Sequence, residues 1–532
     1  MNAHRGVPMS LVSKGRLAGL LFLFLICISC GDVYRPTIIP EPVPTPDPKN
    51  AHSTFTVNQN GTFNAGTGMQ VNVSGDSAAG VTKVAVMPVH ATLLGTHVWV
   101  ANQGADSVSS FLASNGNSPI GTSVNVNLAA GAGPDFVESS EATTMYVANT
   151  NGTVNAINTV TNAITDTISV GAHPIAMVET PSNTSTTGLL KKLYVVNRDS
   201  SDVSVISSAD KSIITTLPAG ASPRWAVARS DGARIYVLSH DAGTITIING
   251  LLPTDAVAGT LPVGAGADFF YYDRRRNRLY VPNPTTGTVG IYDANSDALT
   301  QLAVIDLKAA IPGGGAAPCP ASGCTPVSVA ALPDGTRAYI ASYYIDSTSA
   351  NCQQTSCVQV QATVIDALTN RVTKSIAFPQ TSVSPVANCA AARFRISAAT
   401  AIDSSRVYVA SCDASTVWSI NTTGDTFFAS IPAPGSAFSP TLLRISAAAQ
   451  NGTDTTYTYT YDPNSGTPIF LGLVVTITNM SVAADNGTFT VTGIGNGTFT
   501  VSNPTGSSTN TENATGVGIP PRQNPVFILT GS

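Results

Sequence analysis

The sequence predicts an all-β protein, a seven-bladed β-propeller followed by a small β-sandwich-like domain. Only 11% of the 532 residues are charged, and long runs of helix-forming Glu, Lys, Leu and Arg are missing, which favours short strands joined by polar turns. A strand motif recurs seven times, and after about residue 441 the pattern changes to period-two alternation. A chain of this length exceeds one compact core unless its fold is repetitive or divided.

The recurring strand consists of an aromatic residue, Val or Ile, a variable residue, and Asn or Ser. Its aromatic positions are Trp99, Tyr146, Tyr194, Tyr236, Tyr280, Tyr339 and Tyr408, spaced by 42 to 48 residues at first and by 59 and 69 later. A second strand follows after a polar turn, and a Gly-x-x-Pro-like turn then leads into an apolar strand. Because a four-stranded unit of this length cannot bury its own faces, the pattern is typical of propeller blades.

These units resemble the YVTN-family β-propeller repeat. Residues 365–370 (Ile-Asp-Ala-Leu-Thr-Asn) and 332–339 (Leu-Pro-Asp-Gly-Thr-Arg-Ala-Tyr) match its segments closely, and the resemblance covers about residues 80–440. It implies seven blades, although the first unit departs at Ser110-Phe111-Leu112 and later units carry insertions. Strand-like residues 53–82 precede the first unit, and we expect them to pair with the last blade. We therefore assign the propeller to residues 53–440.

The N-terminus has the features of an export signal. Arg5, Lys14 and Arg16 precede an uncharged apolar run, so residues 1–29 are predicted to be a signal peptide. Ser29-Cys30 resembles the lipobox of bacterial lipoproteins, which makes Cys30 the expected lipidation site; an ordinary cleaved signal is the alternative. Alternating prolines make residues 30–52 a semi-rigid, lipid-anchored linker. The expected location is the bacterial cell envelope, with the protein membrane-anchored and either periplasmic or surface-exposed.

Six further cysteines fit an oxidising compartment. They lie in Gly-, Pro-, Ser- and Asn-rich insertions, and proximity in sequence pairs them as 319–324, 352–357 and 389–412. The predicted disulfide cysteines are therefore Cys319, Cys324, Cys352, Cys357, Cys389 and Cys412. A zinc site is the competing interpretation, and the lack of a histidine nearby in sequence disfavours it.

Residues 441–532 form a different unit. Thr and aromatic or aliphatic residues alternate in residues 456–461, 473–477 and 487–492, and a Gly-Thr-Phe-Thr-Val segment recurs ten residues later. Alternation of this kind indicates strands with one buried face. It predicts a small separate β-domain of the sandwich type.

The candidate ligand site is the mouth of the central channel, where the Gly-x-x-Pro-like turns enter the innermost strands. Alignment of the units there brings Asp135, Arg224 and Asp268 towards one space. Four flanking side chains complete the predicted site: His90, Phe136, Trp225 and Phe269. Carboxylates, a guanidinium and aromatic rings can bind a small polar ligand or a peptide. The alternative is a structural ion-pair cluster that plugs the channel.

No assembled catalytic site is visible in the sequence, and we expect no metal or cofactor. The six histidines do not recur at one repeat position, and no nucleophile elbow, phosphate loop or zinc-protease motif occurs. A net charge of −5 excludes the usual footprint of nucleic-acid binding. The one basic cluster, residues 274–278, is interpreted as a solvated turn, with a polyanion site as the alternative.

The leading functional hypothesis is a non-catalytic envelope binding protein for a protein, peptide or glycan partner. A lactonase-like hydrolase that uses channel carboxylates and a metal is the alternative. A structural surface-layer or adhesion component is a third hypothesis.

Overall fold

The computed structural model describes residues 53–114, 120–139, 143–180, 191–250, 255–313, 315–347, 356–379, 385–434, 441–463, 469, 473–519 and 523–531. These residues form eight four-stranded antiparallel sheets and one closed six-stranded barrel. The predicted signal peptide and the whole predicted linker, Cys30 included, lie outside the described residues.

Seven of the four-stranded sheets follow the chain in order, each a meander from the innermost to the outermost strand. Blade 2 comprises β4 (Pro88–Leu94), β5 (His97–Asn102), β6 (Ser107–Leu112) and β7 (Val124–Asn127). Blade 3 comprises β8 (Pro134–Glu138), β9 (Thr144–Asn149), β10 (Thr153–Asn158) and β11 (Ala163–Ser169). Blade 4 comprises β12 (Pro174–Glu179), β13 (Lys192–Asn197), β14 (Asp202–Ser207) and β15 (Ile213–Pro218).

The remaining repeats form blades 5 to 8. Blade 5 comprises β16 (Pro223–Ala228), β17 (Arg234–Ser239), β18 (Thr244–Asn249) and β19 (Ala256–Pro262). Blade 6 comprises β20 (Tyr271–Asp273), β21 (Arg278–Asn283), β22 (Thr288–Asp293) and β23 (Thr300–Asp306). Blade 7 comprises β24 (Thr325–Ala331), β25 (Arg337–Asp346), β26 (Cys357–Asp366) and β27 (Arg371–Ala377). Blade 8 comprises β28 (Ile396–Thr400), β29 (Arg406–Ser411), β30 (Thr416–Asn421) and β31 (Thr426–Pro432).

Blade 1 joins the two ends of the propeller chain. Its three outer strands are β1 (Ser53–Asn60), β2 (Asn64–Asn72) and β3 (Ser77–Val86), and its innermost strand is β38 (Asn524–Thr530). Strand β38 pairs antiparallel with β1 and lies between the innermost strands of blades 8 and 2.

The prediction of an all-β propeller is confirmed, but the prediction of seven blades is wrong, because the described residues form eight. Residues 53–82 do not complete the last repeat: with β38 they make a blade of their own. Blade 1, the additional blade, takes its inner strand β38 from the C-terminal end of the chain, so no contiguous repeat represents it in the sequence. Radial packing of the blades covers their faces and leaves only short sheet edges, at the channel and at the outer rim.

In most blades the repeated strand forms a latch to the next blade, through its aromatic residue, through the basic residue two positions earlier, or through both. In blade 4, Lys192 Nζ and Tyr194 Oη bind the two carboxylate oxygens of Asp255, which lies in the outer turn of blade 5, at 2.7 and 2.5 Å. Equivalent contacts join Tyr146 to Lys211, Arg234 to Asp297, Arg278 to Asn370, Arg337 and Tyr339 to Asp425, and Arg406 and Tyr408 to Asp76. Six of the eight blade junctions, from blade 3 round to blade 1, are therefore joined by charge-assisted hydrogen bonds.

The C-terminal unit is a closed barrel, not the predicted sandwich. Its strands are β32 (Thr441–Asn451), β33 (Asp454–Tyr461), β34 (Val474–Thr478), β35 (Gly487–Gly495), β36 (Thr498–Ser502) and β37 (Ala514–Ile519). They close in the order β32-β33-β36-β35-β34-β37. Alternating residues such as Tyr457, Val475 and Phe499 fill the interior. The predicted domain runs to residue 532, whereas β38 belongs to the propeller, so the barrel is inserted between blade 8 and the closing strand.

Helical structure is sparse in the described residues. One short α-helix, α1 (Ala387–Ala391), and two 3-10 turns, Gln103–Ala105 and Ala483–Asp485, occur. No helix among them has the length and apolar character needed to cross a membrane.

Two of the predicted disulfides, Cys319–Cys324 and Cys389–Cys412, are present. Cys352 lies outside the described residues, so its pairing with Cys357 stays a prediction, although Cys357 is disulfide-bonded. Disulfide-bonded sulfurs are not thiolate ligands, which argues against the zinc interpretation for these cysteines. The disulfides indicate an oxidising, extracytoplasmic compartment.

Candidate functional site

A β-bulge at the start of the inner strands determines where the side chains near the channel mouth point. The strand register shifts between Pro134 and Phe136 in blade 3 and between Pro223 and Trp225 in blade 5. The bulged residues are thus Asp135 and Arg224, two of the predicted site residues. A bulge re-aims the side chain that follows it. In both blades the ring after the bulge enters the hub of the propeller.

Six rings fill the hub, and we name them the aromatic plug: His90, Phe136, Trp225, Phe269, Phe394 and Phe527. His90 stacks on Phe136 with ring centroids 3.8 Å apart, and Trp225 meets Phe269 edge to face at 4.9 Å. Phe394 and Phe527, which the sequence did not identify, contact each other at 5.4 Å. Such pairs contribute about 0.5–1.5 kcal/mol each beyond the burial of their area. The channel is therefore closed by packed rings at this level.

Arg393 lies over the plug on the side of the Gly-x-x-Pro-like turns. Its guanidinium carbon is 5.1 Å from the ring centroid of Trp225 and 5.6 Å from that of Phe136. It donates hydrogen bonds of 2.6 Å to the carbonyl oxygens of Ile175 and Arg224. One side chain from blade 8 thus joins the innermost strands of blades 4 and 5.

The predicted carboxylates do not share one open space at this mouth. Asp135 Oδ2 lies 3.6 Å from Arg393 Nη1, and Gln103 donates to its other oxygen at 3.2 Å. Asp268 lies 3.8 Å from both Arg224 Nε and His240 Nε2. Each predicted aspartate therefore lies close to a basic side chain above a filled channel. This arrangement is the one expected for a structural ion-pair cluster that plugs the channel.

Burial dominates the electrostatics around the plug. Burial lowers the pKa of His90 well below its ordinary value, and the charge of Arg393 lowers it further, so His90 is neutral. Burial raises the pKa of Asp135 despite the opposing charges of Arg393, Arg198 and Arg224, and burial lowers the pKa of Arg393. Burying these charged groups has a large desolvation cost, which the attraction between Asp135 and Arg393 partly offsets. The cluster is accordingly suited to holding the hub together.

A cavity of about 1020 Å³ occupies the other side of the plug and opens at the opposite mouth. Its floor is made by Phe136, Trp225, Phe269, Phe394 and Phe527, and its walls by the inner strands of blades 3 to 8 and by β38. This volume is at the upper end of the range for small-molecule sites, which are mostly apolar with few polar groups.

Glu138 is the polar residue closest to the floor along strand β8. It lies two residues beyond Phe136, and since side chains alternate along a strand, it faces the same space. Its carboxyl group forms no hydrogen bond or ion pair with any described residue. Burial and the charge of Glu179 raise the pKa of Glu138 to about 8, against the opposing charges of Arg274 and Lys191. Glu138 is therefore largely protonated at neutral pH.

Three further polar side chains line the cavity, and they differ in whether their hydrogen-bonding atoms have partners. Glu179 is paired, with Lys191 Nζ at 3.1 Å and the Ser208 hydroxyl at 2.7 Å. Asp273 accepts two turn N–H groups through Oδ1, whereas its buried Oδ2 has no hydrogen-bond partner. The buried Ser397 hydroxyl also has none. Because these two unpartnered atoms are buried within the wall, Glu138 is the unpartnered carboxyl group among these four residues that faces the cavity.

The basic cluster divides between two roles. Arg276 donates to the Gly335 carbonyl, and Arg278 forms the latch to Asn370. Arg274 and Arg275 are exposed and line the rim of the cavity. The cluster is thus partly structural and only partly a solvated turn.

Three of the four site residues that the sequence did not identify lie outside the repeated strands. Arg393 and Phe394 come from the insertion in the last repeat, held by the Cys389–Cys412 disulfide and the Arg395–Asp413 ion pair. Phe527 comes from the closing strand. Glu138 alone had a usable signal, because it stands one strand period past Phe136. In the part of the chain that the structure describes, no three His, Cys, Asp or Glu side chains gather as a metal site would need.

The chain matches no protein-family model and no curated protein sequence. Among solved structures it is similar to dihydro-heme d1 dehydrogenase NirN in complex with DHE, with a TM-score of 0.52 and 12% identity over 73% of this chain and 74% of that chain. AztD from Citrobacter koseri has a TM-score of 0.49 and 12% identity over 72% of this chain and 95% of that chain. The first likeness shows the fold alone.

Proposed function

We propose that this protein is a non-catalytic binding protein of an extracytoplasmic compartment and that its ligand enters the central cavity. The supporting observation is a 1020 Å³ cavity in which Glu138 stands without a partner above an aromatic floor. Glu138 is half-buried, and titratable groups with a strongly shifted pKa inside a cleft concentrate at functional sites. The ligand is a small molecule or a side chain of a peptide partner.

The hydrolase hypothesis has less support from the same geometry. Its proposed metal ligands, Asp135 and Asp268, each lie within 4 Å of an arginine nitrogen. A guanidinium at this distance competes with a metal ion for the carboxylate. We therefore favour binding over catalysis.

The proposal includes the membrane anchor expected from the sequence. Lipidation at Cys30 followed by the proline-rich linker would hold the propeller near a bilayer. Exchange of Cys30 for Ala should release the protein from the membrane fraction. If the variant stays membrane-bound, the anchor proposal is wrong.

The cavity can be tested with the neutral naphthalene dye PRODAN, whose emission rises in apolar surroundings. Val227 lines the cavity, whereas Val257 lies on the exposed outer strand of the same blade. We expect Val227→Trp, which adds an indole ring at the cavity wall, to weaken dye binding about tenfold or more, and Val257→Trp to leave it unchanged. Equal binding by the two variants would place the dye elsewhere and reject the proposed site.

A further inference from the structure

The walls and floor of the cavity differ in chemistry, and the difference points to a class of ligand. The floor presents aromatic rings, whose faces attract cations. The same rings already hold one cation on their other side, since Arg393 lies within 6 Å of the Phe136, Trp225 and Phe394 centroids. The wall adds the unpartnered Glu138 carboxyl one strand period above Phe136.

We propose that the cavity binds an organic amine with an aromatic or apolar body, the ammonium group facing Glu138 and the body packed on the aromatic plug. This inference rests on the proposed function and names its ligand class. The geometry supports it: aromatic rings and a carboxyl group are the two elements that recognise alkylammonium ions in proteins.

The charged groups around Glu138 set the pH at which such binding occurs. Glu179 and Lys191 of blade 4 form a pair, Arg229 of blade 5 is paired with Asp231 and Asp297, and Asp273 is held by turn N–H groups. Arg274 stands at the solvent-exposed rim, where its charge is screened. Unpartnered negative charge that faces the cavity can therefore come only from Glu138 among these described groups.

Binding of an ammonium ion requires the ionised form of Glu138. In the empty cavity this carboxyl group is mostly protonated below about pH 8. Each amine bound below that pH therefore releases one proton from Glu138 to the solvent, and the carboxylate that remains neutralises the ligand. The apparent affinity should consequently rise with pH up to about the pKa of the carboxyl group and level off above it.

The test compares phenethylamine, phenethyl alcohol and hydrocinnamate as competitors of bound PRODAN, using the full chain. We expect phenethylamine to bind about fiftyfold more tightly at pH 8 than at pH 6, with proton release in calorimetry, while the affinity for the alcohol stays constant. The Glu138→Gln variant should lose this pH dependence and bind the alcohol normally. Asp268→Asn, at the opposite mouth, is the control and should behave as wild type.

The outcomes separate this inference from the proposed function. If the amine binds no more tightly than the alcohol or hydrocinnamate, or if Glu138→Gln keeps the pH dependence, the amine class is wrong. If PRODAN is still excluded by Val227→Trp in that case, the cavity remains a binding site. If the affinity for PRODAN is the same in Val227→Trp and in the wild type, both proposals are wrong.

Discussion

The hydroxyl of Tyr408 donates a hydrogen bond of 2.9 Å to Oδ1 of Asp76, which stands 332 positions earlier in the chain. Arg406 binds the other oxygen of the same carboxylate at 2.9 Å. This is the latch between blades 8 and 1, so it joins the two ends of the propeller. Ring closure thus uses two independent contacts, this latch and the pairing of β38 with β1.

Replacement of Asp76 by Ala should destabilise the propeller by about 3 kcal/mol, because it leaves Arg406 and Tyr408 buried without their partner. Chemical denaturation measures the change. Asp462→Ala on the barrel is the matched control: its partner Arg444 is 64% exposed, and surface pairs contribute less than about 1 kcal/mol. Equal losses in the two variants would show that the latch does not stabilise ring closure.

Removal of the chain after residue 523 should open the ring. Strand β38 buries Val526 and Ile528 and supplies Phe527 to the plug, so its loss exposes apolar surface and an unpaired strand edge. We expect a lower melting temperature and aggregation, both reversed by a synthetic peptide covering residues 523–532. A truncated protein with unchanged stability would mean that β38 is not the closing strand.

Arg393 and Asp135 should show strong, pH-dependent coupling. Arg393→Met leaves Asp135 buried beside fewer cations, which raises its pKa further, so the loss of stability should grow as pH rises above about 4 and reach about 2–4 kcal/mol at neutral pH. Asp135→Asn combined with Arg393→Met should recover part of this loss. A double-mutant cycle with no coupling energy would contradict the described ion pair.

Glu138→Gln should stabilise the empty protein in a pH-dependent way. The folded-state pKa of Glu138 is raised from 4.5 to about 8. This group therefore does not change the free energy of unfolding of the wild type below about pH 4.5. Between about pH 4.5 and 8 it lowers that free energy progressively, because ionisation is harder in the folded state. The variant lacks that loss and should be more stable by up to about 4 kcal/mol at pH 8 and by little at pH 4. A pH-independent difference between the two proteins would show that Glu138 titrates normally.

The sequence predicted the repeated blades well because each is encoded locally. The Tyr-Val-x-Asn strand carries its own signals: the tyrosine contacts the next blade, the valine enters the core, and Asn149, for example, hydrogen-bonds to Asn155 of the neighbouring strand. The sequence did not predict blade 1 because its inner strand, β38, lies far along the chain from its outer strands, β1 to β3. The barrel was mistaken for a sandwich because strand alternation is the same in both, and only pairing order distinguishes them.

The candidate site was predictable only where it follows the repeat. Alignment at the Gly-x-x-Pro-like turn grouped His90, Phe136, Trp225 and Phe269, and the structure brings these four rings into one hub. It did not anticipate the pairing of Asp135 with Arg393, because an inserted segment has no repeat position. Contacts such as Asp135–Arg393 depend on packing between segments distant in sequence, so local patterns could not predict them.

The most direct test of the central claim is energy transfer from Trp225 to PRODAN bound to the full chain. Trp225 forms part of the cavity floor, whereas Trp99 and Trp418 are buried within blades 2 and 8. If the cavity is the binding site, Trp225→Phe should abolish most of the tryptophan-sensitised dye emission while the dye still binds. Sensitised emission that is unchanged in Trp225→Phe would show that the dye binds away from the hub and would contradict the account.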